Sequence, residues 1–168
     1  GGISQSTYDA EGNRLTTTDA LGRTTIRAYD DLDRLVSVTD PAGAVTLTSY
    51  DAVGNRLSQI DRNGNTTTYS YDAANRRTQR VDALGNVTTT TYDANGNRVA
   101  QADPLGHTMV YAYDALNRRT QVSDALGNTT TTTYDAVGRV VATTDANGWT
   151  TAFAYDPGNN LVRVTDAA

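Results

Sequence analysis

The sequence contains no cysteine and no lysine, three prolines, and one residue each of histidine, methionine, phenylalanine and tryptophan. Without cysteine there is neither a disulfide framework nor a cysteine-based zinc site, and the redox compartment stays open. No run approaches the ~20 apolar residues of a membrane span, and no signal-peptide core opens the chain. Leu, Ile, Val and Phe together supply 29 of the 168 residues, as many as threonine alone. That share falls below the roughly 20% that flags chains short of an ordinary core. The formal net charge of −5 is nevertheless too modest for charge-driven disorder. The 14 basic residues, all arginine, are outnumbered by 19 acidic ones and form no cluster. The electrostatic footprint of a nucleic-acid binder is therefore missing. The chain does not start with methionine, and the expectation is an excerpt from a longer protein.

What the sequence does have is a period, and a period decides the fold before any local reading does. Tyr-Asp occurs as Tyr8-Asp9, Tyr29-Asp30, Tyr50-Asp51, Tyr71-Asp72, Tyr92-Asp93, Tyr113-Asp114, Tyr134-Asp135 and Tyr155-Asp156, always 21 residues apart. Eleven residues after each tyrosine stands a second aspartate: Asp19, Asp40, Asp61, Asp82, Asp103, Asp124, Asp145 and Asp166. Three residues further on come Gly22, Gly43, Gly64, Gly85, Gly106, Gly127 and Gly148. Residues 1–168 thus read as eight in-phase repeats with no separate domain. Gly1 is in phase with Gly22, and Asp166-Ala167-Ala168 stops one residue before its own glycine. Both ends suggest whole units cut from a longer array.

Each repeat carries one turn device twice. Asp-x-x-Gly, as in Asp40-Pro41-Ala42-Gly43, suits a type I turn closed by a residue in the left-handed region, the usual three-residue hairpin loop. At the Tyr-Asp end the equivalent position holds Gly12, Asp33, Gly54, Asn75, Gly96, Asn117, Gly138 and Asn159. Glycine, asparagine and aspartate are the residues that enter that region most readily. Between turns lie segments of seven or eight residues rich in Thr, Val, Tyr and Arg, which read as strands. The expected fold is all-β: about sixteen strands in tandem 21-residue β-hairpin repeats, forming one long antiparallel, curled or spiralling sheet.

On the strand that ends in tyrosine, one face holds that tyrosine and the positions two and four before it. The residue two before alternates: Thr48, Tyr69, Thr90, Tyr111, Thr132, Phe153. The super-period is therefore 42. The opposite face (Ile26, Leu47, Thr68, Thr89, Val110, Thr131, Ala152) is no more apolar. Such a sheet draws its stability from its ladder, from Thr–Thr and aromatic pairs at roughly 0.2–1 kcal/mol each, and from arginines near tyrosine rings. Arg56, Arg77, Arg98 and Arg119 are placed for that contact. The alternative is a sheet folded back on itself with Tyr and Val between two layers.

The unit Tyr-Asp-x-x-Gly-Asn/Arg, clearest in Tyr50-Asp51-Ala52-Val53-Gly54-Asn55-Arg56-Leu57, followed by Asp-x-x-Gly and Tyr-x-Tyr-Asp as in Tyr111-Ala112-Tyr113-Asp114, resembles the RHS, or YD, repeat family over the whole chain. The resemblance implies a strip of antiparallel strands spiralling into a hollow shell. It further implies a secreted or cell-surface setting and an encapsulated toxin polypeptide as partner, beside adjacent repeats of the same shell. The family includes bacterial polymorphic toxins, the cocoon components of insecticidal toxin complexes, and teneurins. Sixteen strands make a strip of only about 75 Å. Closed into a ring, that strip could not enclose a folded domain of ~13 Å radius of gyration, so this stretch is expected to be wall rather than container. The expected role is non-catalytic, with no cofactor, no nucleic acid and no membrane span. The rival expectation is an extracellular module that recognises glycans or a partner protein.

The remaining candidates fit the repeat. Asp103-Pro104-Leu105-Gly106 echoes the wording of an Asp-based self-cleavage site yet sits in phase as a turn. His107 is read as a surface strand residue. Asp61-Arg62-Asn63-Gly64-Asn65 and Asp93-Ala94-Asn95-Gly96-Asn97 resemble the front of a calcium loop without its downstream acidic ligand. Trp149 and Phe153 are read as aromatic filling between strands, with a glycan platform as the alternative. The rows of Arg56, Arg77, Arg98 and Arg119 could grip an acidic cargo, although the interleaved aspartates point to solvated, mutually paired charges. Bare sheet edges predict self-association.

Overall fold

A computed structural model describes residues 2–167; the readings of Gly1 and Ala168 lie outside the described residues. Sixteen strands follow one another, and the described residues contain no helix: β1 Gln5–Tyr8, β2 Arg14–Thr18, β3 Thr24–Tyr29, β4 Leu35–Thr39, β5 Val45–Tyr50, β6 Arg56–Ile60, β7 Thr66–Tyr71, β8 Arg77–Val81, β9 Val87–Tyr92, β10 Arg98–Ala102, β11 Thr108–Tyr113, β12 Arg119–Ser123, β13 Thr129–Tyr134, β14 Val140–Thr144, β15 Thr150–Tyr155 and β16 Leu161–Thr165. They form one antiparallel sheet in sequence order. The strands are four to six residues long, shorter than the seven or eight expected, because the turns absorb five residues each.

Two compact units divide the chain, Gly1–Val87 and Thr88–Ala168. Within each unit a strand touches its sequence neighbours and no others. The folded-back arrangement with Tyr and Val between two layers is therefore absent from both units, and each is a single-layer sheet. The buried hydrophobic residues are correspondingly few. Among the described residues, Tyr69 in the first unit and Tyr111 in the second, each 9% exposed, are the buried ones, and no polar side chain is buried. Cross-strand hydroxyl pairs add to the ladder, among them Thr7–Thr16 at 2.6 Å, Thr18–Thr24 at 2.8 Å, Ser49–Ser58 at 2.6 Å and Thr144–Thr150 at 2.8 Å.

The register contains a device that the sequence reading did not anticipate. Ser49 faces Ser58, but Tyr50 faces Arg56, so Leu57 is an extra residue in the ladder. The same shift recurs beside Tyr8, Tyr29, Tyr71, Tyr113, Tyr134 and Tyr155. The Asp-x-x-Gly hairpins run without it, as in Ala102↔Thr108, Gln101↔Met109 and Ala100↔Val110. This β-bulge reconciles an odd repeat length with identical faces. Side chains alternate with a period of two, so a one-residue offset between repeats would turn every equivalent residue to the other side. Following the ladder, Ser49 lies opposite Ser58 and Ser58 opposite Thr68, whereas the repeat equivalent of Ser49 is Ser70. Each repeat is thus displaced by two residues, roughly 7 Å along the strand, and its faces are preserved. Ala112, Gln121 and Thr131 show the same stagger in the second unit.

Candidate functional site

Both turn edges are built by aspartate. At Asp30 the backbone closes the loop through Asp30 N to Arg34 O at 3.0 Å and Asp33 N to Asp30 O at 3.0 Å. The Asp30 carboxylate then accepts the N–H groups of Leu32 and Arg34, both at 3.0 Å, and Arg34 Nε at 2.8 Å. The Asp-x-x-Gly edge repeats this, as at Asp61, whose carboxylate accepts Asn63 N at 2.8 Å and Asn65 N and Nδ2 at 2.9 Å. The calcium-loop likeness at Asp61 and Asp93 is thus turn geometry, with both carboxylates engaged by their own loops. Among the described residues no group of three or more His, Cys, Asp or Glu is placed to hold a metal. His107 belongs to the turn rather than to a strand, its Nδ1 standing 2.9 Å from Asp103 Oδ2, where other repeats use Asn or Arg. Asp103-Pro104-Leu105-Gly106 closes like its neighbours, with Gly106 N 3.0 Å from Asp103 O.

These bonds hold the carboxyls below the ordinary carboxylate range. At Asp30 the Arg34 side chain is the largest cause, and at Asp103 the His107 side chain. At Asp51, Asp61, Asp82, Asp93, Asp124 and Asp156 the asparagine four residues on contributes most. At Asp19, Asp72 and Asp114 the backbone N–H of the following arginine leads. Partial desolvation is the largest influence at Asp135 and opposes the shift, but the hydrogen bonds from Arg139 outweigh it.

Along the Tyr-Asp edge the turns are stitched to one another. Asp33, Asn75, Asn117 and Asn159 sit at φ of 58°, 61°, 60° and 66°. Their side-chain oxygens accept from the preceding turn: Asn13 to Asp33 at 2.6 Å, Asn55 to Asn75 at 2.8 Å, Asn97 to Asn117 at 2.7 Å and Arg139 to Asn159 at 2.7 Å. Arg34 and Arg118 reach forward to the carbonyls of Asp51 and Asp135, at 2.7 and 2.9 Å, and lie over the rings of Tyr50 and Tyr134. Sequence reasoning missed this clamp. Its signal was the Gly/Asn alternation four residues after each tyrosine, which shares the 42-residue super-period. The repeat tyrosines tie neighbouring strands together. Tyr71, Tyr113 and Tyr134 donate their hydroxyls to the carbonyls of Arg56, Arg98 and Arg119, each at 3.0 Å, and Tyr155 donates to Val140 at 2.9 Å.

The centre of the tyrosine face is organised around Tyr69 and Tyr111. Arg56 and Arg77 stand 4.6 and 5.7 Å from the Tyr69 ring centre, and Arg98 and Arg119 stand 4.8 and 6.0 Å from that of Tyr111. Arg56 also donates to Gln59 and to the Tyr69 hydroxyl, both at 3.0 Å, and Arg98 donates to Gln101 at 2.7 Å and Tyr111 at 3.4 Å. The expected arginine–tyrosine contacts are present. The expected pairing of Arg56, Arg98 and Arg119 with aspartates is not, because every aspartate lies outside the strands while these arginines lie within them. Trp149 does not fill space between strands either. It is 53% exposed beside its turn, since a single layer offers no second layer to receive the ring. Phe153 lies on the tyrosine face opposite Val164.

No curated protein matches the chain. Among solved structures it resembles those of TcdB2–TccC3–Cdc42, of TcdB2–TccC3 without its hypervariable C-terminal region, and of TcdB2–TccC3. TM-scores are 0.58, 0.58 and 0.55, at 18, 19 and 18% identity. The alignments cover 98–99% of this chain but 11–12% of those chains. The RHS repeat family model matches residues 8–45, 50–91, 77–108, 92–129, 113–148 and 134–168. The chain belongs to the RHS repeat family.

Proposed function

We propose that this chain is a wall segment of an RHS-repeat shell that encloses or scaffolds a toxin polypeptide, acting by exclusion and confinement rather than catalysis. The observation that carries the proposal is the single layer with polar faces, in which two tyrosines are the buried hydrophobic residues. A sheet destined for a globular core hides one face against another layer, whereas a wall has water or unfolded polypeptide on both sides. The two-residue stagger of each repeat supports a spiralling strip, as shear does in closed sheets. The likeness to about a tenth of each TcdB2–TccC3 chain, a protein with a hypervariable C-terminal region, fits a wall made of many more such repeats.

Adjacent repeats of the same shell are the proposed lateral partners. Leu21, Leu84, Leu105 and Leu126 tip one set of turns at 78–87% exposure, and Leu32, Val53, Leu116 and Val137 tip the other at 62–72%. Both rows share one spacing, so one edge can meet the other edge of a neighbouring winding in register. The setting that goes with this role is secreted or cell-surface.

In the full-length protein that carries these repeats, the polypeptide they enclose is expected to resist protease until the shell is opened by denaturant. Equal cleavage before and after opening would overturn the proposal. A second reading, glycan recognition, rests on the half-exposed indole of Trp149. It predicts glycan-array binding that Trp149→Ala abolishes, and a blank array rejects it.

A further inference from the structure

Charge is segregated across the sheet. Among the described residues no strand contains an aspartate or glutamate, while eight arginines lie within strands. Seven of these eight are on the tyrosine face. Arg27 occupies the position two before Tyr29, Arg80 stands opposite Tyr69, and Arg14, Arg56, Arg77, Arg98 and Arg119 stand opposite repeat tyrosines. Arg163, opposite Ala154, is the exception. The turn arginines Arg23, Arg34, Arg62, Arg76, Arg118 and Arg139 are instead paired with aspartates on the edges. The tyrosine face is thus cationic despite a net charge of −5.

Two stations on this face repeat each other 42 residues apart: Arg56, Gln59, Tyr69 and Arg77 in the first unit, and Arg98, Gln101, Tyr111 and Arg119 in the second. Each of the two rings has two guanidiniums within 6.0 Å of its centre. Arg56 and Arg98 each use two of their five N–H donors on glutamine and tyrosine. The remaining donors are available for a carboxylate. In extended polypeptide, side chains two residues apart point the same way at about 7 Å, so alternate carboxylates of one strand can all face the sheet.

We propose that the tyrosine face of each unit binds an extended acidic segment of polypeptide, with the Tyr69 station as the anchor in the first unit and the Tyr111 station as the anchor in the second. Charge complementarity selects the occupant. A duplex nucleic acid, with phosphates along both flanks, would meet the carboxylate-lined edges within about a Debye length of ~8 Å. A single extended chain lies between those edges. The biological setting rests on the wall reading, but binding is a property of the face alone. Peptide binding without protease protection of the enclosed segment would sink the wall reading and leave this inference standing.

The test is fluorescence anisotropy on this chain with a labelled twelve-residue peptide of alternating glutamate and serine. A lysine–serine peptide and a twelve-nucleotide thymidine oligomer serve as comparisons. Arg80→Gln with Arg119→Gln removes guanidiniums that donate no hydrogen bond in the structure, so the fold is expected to persist. That variant should weaken glutamate–serine binding three- to tenfold. Arg23→Gln with Arg62→Gln, which makes the same change in net charge on the edges, should leave binding within twofold. Absence of glutamate–serine binding at 50 mM salt, equal losses in the two variants, or tighter binding of the oligonucleotide would each overturn the proposal.

Discussion

Asn117 offers a direct test of the stitched turn edge. It holds φ at 60°, donates its N–H to Asp114 O at 3.0 Å, and accepts Asn97 Nδ2 at 2.7 Å. Asn117→Ala keeps the Cβ but removes the polar side chain that makes the left-handed region accessible to asparagine, at a cost of up to about 1–2 kcal/mol, and deletes an exposed side-chain hydrogen bond of about 0.5–1 kcal/mol. The sum is about 1.5–3 kcal/mol. Asn117→Gly loses the same bond but enters that region freely, so its net cost is expected below about 1 kcal/mol. In a quasi-one-dimensional array the damage stays near the altered repeat. Amide hydrogen exchange reads both magnitude and location. At 1.4 kcal/mol per decade, Asn117→Ala should accelerate exchange in β11 and β12 by roughly ten- to a hundredfold, and Asn117→Gly by less than about fivefold. Strands β3 to β6 should be unchanged in both. Equal acceleration by the two variants would refute the backbone argument, and uniform acceleration along the chain would refute nearest-neighbour stability.

Tyr113→Phe removes the hydroxyl that reaches Arg98 O at 3.0 Å and should cost about 0.5–1.5 kcal/mol in a urea titration; no change would place Tyr113's value in its ring alone. The depressed carboxyls of both turn edges bind fewer protons folded than unfolded, so their stabilisation is complete above the ordinary carboxylate range. It is lost as pH falls through their lowered values. Thermal melts should be flat above about pH 5 and fall steeply below about pH 4; a melting temperature that held to pH 2 would contradict the turn account. Strands β1 and β16 each have a neighbour on one side only, and β16 exposes Leu161, Val162 and Val164. Static light scattering should therefore show self-association that grows with concentration, and a strict monomer at high concentration would count against it.

The period, the all-β class and the turn chemistry were legible because each is local: Asp and Gly at fixed offsets define a loop whatever surrounds it. Asn75 and Gly54 could be read as left-handed positions from residue type, but the bond from Asn55 to Asn75 joins residues twenty apart. Such a bond exists only once strand register is fixed. The bulge at Leu57 was present in the arithmetic, since an odd repeat with constant faces requires an unpaired residue, yet nothing in Leu57 itself marks it. Arg56, Arg98 and Arg119 were correctly placed near tyrosine and wrongly near aspartate. Interleaving in sequence does not survive a fold that sends every aspartate out of the strands and these arginines to the sheet centre. Trp149 was misread because large aromatics ordinarily find a core, and neither unit has a second layer to make one.

Cryo-electron microscopy of the full-length protein that contains these repeats would separate a wall around cargo from a free-standing sheet. Residues 2–167 should form part of a closed, single-layer wall around a lumen, with polypeptide density inside it. A structure in which the strip is open to bulk solvent on both faces, or packs one face onto a folded domain, would contradict it.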